Sequence, residues 1–116
     1  MQREKHLKDN IKPIAFVDVD ETICFYNGDR IYEDAIPNYE NIAKINKLFN
    51  KGWRVVYWTA RGSTDPTNKN RLNYLYCLTK EQLDLWGALH HDLKIGDEKP
   101  LYDLIIDDKA KRIEEM

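Results

Sequence analysis

The apolar run Ile14-Ala15-Phe16-Val17 passes straight into alternating carboxylates, Asp18-Val19-Asp20-Glu21, and the pattern returns as Leu104-Ile105-Ile106-Asp107-Asp108. Short, near-continuous apolar runs predict strands buried on both faces, here over 14–19 and 104–106. Trp53–Trp58, rich in β-branched and aromatic residues, predicts another strand. Leu89–Ile95 carries a weaker strand signal, interrupted by His90, His91 and Asp92. Between the strands the period changes. Ile42, Ile45, Leu48 and Phe49 repeat at helical spacing, with Gly52 suited to the C′ position. Leu72, Leu75 and Tyr76 predict a helix over 71–78, and Thr79 with Gln82 reads as the capping box of a further helix near 80–86. Lys109–Glu115 is predicted to be a terminal helix. After the first strand, Thr22–Tyr26 and Arg30–Tyr32 flank Asn27-Gly28, the signature of a hairpin with a type I′ turn, closed by Pro37.

Strands alternating with helices predict an α/β fold with a parallel sheet and right-handed crossovers. The length of 116 residues suits one domain, with 1–12 as a polar lead-in and 22–36 as a hairpin flap. A net charge of −2 without a basic block argues against nucleic-acid and membrane-surface partners. Two cysteines, Cys24 and Cys77, are too few for a disulfide framework and are expected to be buried free thiols in a reducing compartment. The charged N-terminus lacks the apolar core of a signal peptide, which predicts a cytoplasmic chain.

In parallel sheets, ligands bind beyond the carboxyl ends of the strands. Asp18 and Asp20, Thr59, and Asp107 and Asp108 all fall at such ends. Converging carboxylates repel one another unless a cation joins them, so a hard-metal site is expected. Magnesium suits it: Asp18 and Asp107 offer carboxylates and Asp20 a backbone carbonyl, with waters and a substrate phosphate completing the shell. Asp18 is placed to attack phosphorus, giving an aspartyl-phosphate. Asp20, two residues on, faces the same side and is expected to act as general acid and base, its pKa raised by neighbouring negative charge. Thr59 and nearby backbone amides can donate to the transferring oxygens, and a lysine is needed to complete the charge balance.

Asp18-Val19-Asp20-Glu21-Thr22 resembles the DxDxT first motif of the haloacid dehalogenase (HAD) superfamily. Thr59 in Tyr57-Trp58-Thr59-Ala60-Arg61-Gly62 resembles its second motif. Lys99-Pro100 and Tyr102–Ala110 resemble its third and fourth. The resemblance implies a Rossmann-like three-layer α/β/α fold with a minimal cap, and Mg2+ as cofactor. It implies catalytic roles for Asp18, Asp20, Thr59 and Lys99, phosphate contacts from Thr22, Thr59, Ala60, Arg61 and Lys99, and metal binding by Asp18, the Asp20 carbonyl, Asp107 and Asp108. The variant most similar is the small, nearly capless HAD type found beside bacterial capsule and surface-sugar genes. Two departures stand out. Glu21 occupies a position where many members have glycine, and Asp97-Glu98 separates Gly96 from Lys99, leaving Lys94 as the alternative lysine.

Plainer readings stand beside these. Thr59 alone reads equally as a strand-end threonine making a local turn bond. Arg61 reads equally as a substrate contact or as the surface partner of Asp65. His90 and His91, adjacent on an extended segment, point to opposite faces and do not make a zinc site. Trp53, Trp58 and Trp86 read as core. Tyr26, Arg30 and Tyr32 of the flap are candidates to lean over the site and select substrate. So small a cap leaves the site open unless a second copy of the chain covers it. The expected function is a Mg2+-dependent phosphomonoesterase acting on a small phosphate ester, with a sugar or polyol phosphate preferred. The rivals are a phosphotransferase on the same site and a non-catalytic metal-binding partner domain.

Overall fold

A computed structural model of the chain describes residues 12–96 and 104–106. In chain order its elements are β1 (Ile14–Asp18), β2 (Cys24–Phe25), β3 (Ile36–Pro37), α1 (Tyr39–Asn50), β4 (Arg54–Thr59), α2 (Lys69–Leu85), β5 (Asp92–Ile95) and β6 (Leu104–Ile106). Four strands form one sheet in the order β5-β4-β1-β6, with every neighbouring pair parallel. This is the expected α/β architecture. Two successive right-handed crossovers, β1 to β4 and β4 to β5, run the same way and bring both helices to one face. There Ala15, Val17, Val55 and Tyr57, which alternation places on a common side, cluster with Ile42 and Ile45 of α1 and Leu83 of α2. Each such aliphatic side chain contributes about 1.5–3 kcal/mol on burial. Phe16 and Val56 on the opposite face are buried too, and the Phe16 ring stacks on Trp58. The terminal helix expected over 109–115 lies outside the described residues. Among the described residues no helix is long and apolar enough to cross a membrane.

The helix α1 begins where a side chain can start it: Asn38 accepts the Asn41 amide at 3.0 Å, and Gly52, at φ +97°, takes the left-handed turn beyond the end. The two helices expected over 71–86 are one. Asn68 caps α2 by accepting the Arg71 amide, and the chain runs unbroken to Leu85. Thr79 does not start a new helix because its hydroxyl donates back to the Leu75 carbonyl at 2.7 Å, which a residue inside a helix can do.

The flap also differs from expectation. β2 pairs antiparallel with β3, Cys24 opposite Pro37 and Phe25 opposite Ile36, and Arg30–Tyr32 is not the return strand. Residues Tyr32–Asp34 instead form a single 3-10 turn. The loop between the short strands is thereby free to fold towards the sheet edge. Of the two cysteines, Cys24 is buried as expected and Cys77 is exposed on α2.

Candidate active site

The site lies at the carboxyl ends of β1 and β4. Their register pairs Asp18 with Trp58, so Asp18 and Thr59 sit one step apart across adjacent strands. β1 is also the strand about which the sheet order reverses, β4 lying on one side and β6 on the other. Ile106 closes β6 opposite Val17, the residue before Asp18. Asp107, Asp108 and Lys99 lie outside the described residues. A cleft of about 390 Å³ opens at this edge, its walls including Asp18, Asp20, Glu21, Arg30, Tyr32 and Arg61.

After β1 the chain turns sharply. The Ile23 amide bonds the Val19 carbonyl at 3.0 Å, and the Glu21 amide bonds the Cys24 carbonyl at 2.9 Å. The turn forces Glu21 to φ +67°, the only non-glycine at positive φ among the described residues. A side chain there costs about 1–2 kcal/mol, which explains why glycine suits the position. The Glu21 carboxylate reaches across the mouth of the cleft to Arg30, 2.8 Å away.

Asp20 is the most heavily bonded group of the site. Arg61 grips it with two nitrogens, Nε to Oδ2 at 3.2 Å and Nη2 to Oδ1 at 2.9 Å. The Tyr26 hydroxyl donates to Oδ1 at 2.6 Å, and Thr59 donates to Oδ2 at 3.3 Å. Arg61 itself is fully buried. Its remaining hydrogens go to Thr79 Oγ1 at 2.9 Å, Gln82 Oε1 at 2.7 Å and the Tyr26 hydroxyl at 3.1 Å, and its guanidinium lies over the Tyr32 ring. A guanidinium carries five N–H donors, and all five are engaged by protein partners. Gln82 completes the tie by donating to the Tyr32 carbonyl at 2.7 Å.

This arrangement corrects the expected direction of the Asp20 pKa and shows where Arg61 and Thr59 stand. Burial alone pushes the Asp20 carboxyl up, but the Arg61 guanidinium and the Tyr26 hydroxyl outweigh it and hold the group below its ordinary value. The pKa is therefore not raised in this state. Arg61 is neither the partner of Asp65 nor a group with donors to spare for a phosphate. Thr59 is fully buried beneath the cleft; its hydroxyl accepts the Arg61 amide at 3.1 Å and lies 3.3 Å from Asp20 Oδ2.

The remaining candidates divide. Ala60 lines the cleft, as does Trp58, which was expected to be core. Thr22 is buried behind the turn; its carbonyl accepts from Asn41, and its hydroxyl meets no partner among the described residues. Lys94, the alternative lysine, is paired with Asp92 at 3.3 Å on β5 and is absent from the cleft walls. His91 accepts the Val55 amide at Nδ1, and His90 contacts Lys80. Tyr26, Arg30 and Tyr32 do lean on the site. Thr79 and Gln82 were missed in this role. Their spacing carries the signal, since residues three apart along a helix share a face, but the same spacing fits a cap.

With this geometry in hand, comparison with known proteins bears on the fold. No family model matches the sequence, and no curated protein is significantly similar. A Vibrio cholerae protein solved as a structural-genomics target shares the fold. Its TM-score is 0.69 and its identity 24%, over 89% of this chain and 85% of that one. D,D-heptose 1.7-bisphosphate phosphatase from B. bronchiseptica, complexed with magnesium and phosphate, aligns more loosely. Its TM-score is 0.49 and its identity 17%, over 84% of this chain and 54% of that one. At such identities the likeness concerns the fold alone.

The donor chemistry of the site fits a hard cation. Arg61 neutralises the Asp20 carboxylate, and the end of β1 also carries the Asp18 carboxylate and the Asp20 carbonyl, both oxygens of the kind magnesium prefers. They are half of the expected set; Asp107 and Asp108 are the other half. Among the described residues no group of three or more His, Cys, Asp or Glu side chains converges on one point.

Proposed function

We propose that the chain is a HAD-type phosphomonoesterase that works through an aspartyl-phosphate on a small sugar or polyol phosphate. The observation that carries this reading is the meeting of Asp18, Asp20 and Thr59 in one place, at the ends of two adjacent parallel strands where the sheet order reverses. Asp18 ends β1 at the cleft and attacks phosphorus in line with the departing alkoxide. A bound Mg2+, held by Asp18, the Asp20 carbonyl and Asp107 with Asp108 in support, supplies the positive charge that lets a carboxylate approach a phosphate dianion.

In the state described, Asp20 is ionised and its orientation fixed, which suits it to take the proton from the water that cleaves the aspartyl-phosphate. Its role as acid in the first half requires a proton. A phosphate dianion arriving in the cleft supplies the negative charge that favours its uptake. Thr59 fixes Asp20 from below, and Lys99 balances the phosphoryl charge.

The test is phosphate release from a panel of phosphate esters, with Mg2+ and with EDTA, in the wild type and Asp18→Asn. The expected result is metal-dependent release that falls by at least about 10³-fold in the variant, as the loss of a nucleophile requires. Undiminished release in Asp18→Asn overturns the nucleophile assignment. No release from any ester by the folded wild type overturns the hydrolase.

A further inference from the structure

We propose that Glu21 is a specificity-determining residue: it neutralises Arg30 at the mouth of the cleft and so excludes substrates that carry a second anionic group near the transferred phosphoryl. The inference rests on the phosphomonoesterase reading and names its substrate class, monophosphates whose remaining surface is neutral and hydroxyl-rich.

Three observations carry it. The first is how the charge in the cleft is already used. Arg61 has no donor left, since all five hydrogens meet Asp20, Tyr26, Thr79 and Gln82. Arg30 is then the remaining guanidinium of the described cleft wall. It is half exposed, it rests on the Tyr26 ring, and one of its nitrogens lies 3.9 Å from Asp20. An arginine so placed is a ready anion site, because its planar fork matches a phosphate or carboxylate.

The second observation is that Glu21 holds one arm of that fork. Its Oε1 lies 2.8 Å from Arg30 Nη2, and Glu21 is itself a wall of the cleft. The described walls thus set three carboxylates, Asp18, Asp20 and Glu21, against two guanidinium groups, one of them fully committed. A second phosphate on a substrate would have to displace Glu21 from Arg30 and then lie beside it. A sugar hydroxyl faces no such penalty and can bond the outer oxygen of Glu21.

The third is the backbone. Glu21 stands at φ +67°, where a side chain is strained and glycine is at ease. A long carboxylate at the one strained non-glycine position of the described chain, aimed across the mouth of the cleft, is a costly way to fill a turn. Strain of this kind gathers where it serves a site.

The experiment compares binding of fructose 6-phosphate and fructose 1,6-bisphosphate by calorimetry in Mg2+ at low salt, each protein carrying Asp18→Asn so that neither ester is turned over: Glu21 unchanged, Glu21→Gln, and Glu21→Gln combined with Arg30→Gln. Glutamine keeps the length and the backbone demand of glutamate, so the turn is not altered. The protein with Glu21 unchanged is expected to favour the monophosphate. Glu21→Gln is expected to shift the ratio of affinities towards the bisphosphate by about tenfold, since a freed guanidinium attracts a dianion and a repelling charge is lost. The shift should shrink in high salt and disappear in the double variant. A ratio unchanged in Glu21→Gln, or a shift that survives loss of Arg30, overturns the selector while leaving the phosphatase reading intact. Failure of every protein to bind either ester overturns the selector as stated for sugar phosphates, while the phosphatase reading stands or falls on the ester panel.

Discussion

Replacing Arg61 with methionine should be among the most damaging single changes in this fold, and the structure gives the size. The guanidinium is fully buried, and Asp20 beside it is only 11% exposed. Methionine roughly fills the volume of the stem but leaves a carboxylate in a poorly solvated place and strips Thr79 and Gln82 of their partner. Breaking one side of a buried ion pair costs about 3–5 kcal/mol. Tyr26 and Thr59 still donate to Asp20 and offset part of this, so about 3 kcal/mol is the expected loss. That is a fifth or more of the roughly 5–15 kcal/mol that holds a domain together, and it lowers Tm by about 10–15 °C in a chain of this size. The assay is urea denaturation followed by circular dichroism at pH 7, with the slope compared between variants to confirm that only the midpoint moves. A second variant separates the pair from the volume. Arg61→Met combined with Asp20→Leu removes both charges and should recover most of the loss, because it is the unmatched carboxylate that destabilises. A single variant that loses under about 1 kcal/mol, or a double variant whose loss is the plain addition of the two singles, would refute the account. The same reasoning applies to Asp20→Asn. It leaves Arg61 charged and poorly matched, so its stability must be measured before lost activity is assigned to acid–base chemistry.

Other expectations follow from single contacts. The Tyr57 hydroxyl is buried with no partner among the described residues, so Tyr57→Phe should be neutral or stabilising by about 1 kcal/mol in urea denaturation. Burial also raises the Tyr57 pKa. The unfolded tyrosine ionises near 10 and the buried one only at higher pH, so this contribution to stability is complete below about pH 10 and is lost as the pH rises beyond it. Alkaline denaturation of Tyr57→Phe should be correspondingly shallower. Gly62 sits at φ +82°, where a Cβ would meet Leu72 Cδ2 at 2.8 Å and Leu75 Cδ1 at 3.0 Å. Gly62→Ala should therefore destabilise by about 1–3 kcal/mol and push the 59–61 segment away from α2, visible as a fall in thermal midpoint.

The sheet was legible because a parallel strand covered on both faces has to be apolar along its length, and 14–17, 55–58 and 104–106 are. The ends of those strands were legible for the same reason: a carboxylate or threonine directly after such a run has nowhere to go but the sheet edge. The flap was harder. Arg30–Tyr32 alternates like a strand, but Tyr32 is held by Arg61 and Gln82 from α2, a contact that no local pattern announces. The Thr79–Gln82 spacing fits a capping box and a pair of side chains on one helical face equally well. The choice between them is made by the buried guanidinium of Arg61, more than fifteen residues away. The same guanidinium reversed the expected direction of the Asp20 pKa. Carboxylates crowded together raise one another, and only the folded chain shows that a cation has been placed among them.

The contrast between the two thiols has a practical consequence. Cys77 stands exposed on the outer side of α2, while Cys24 is sealed beneath the turn with its sulfur within 3.5 Å of Asp20 and its pKa raised by burial. A thiol reagent will titrate Cys77 at once and Cys24 only when the turn after β1 opens. The ratio of slow to fast labelling is thus a clock for breathing at this edge of the sheet, with an internal standard supplied by the molecule itself. Each of the variants above can be timed with it without a substrate being known.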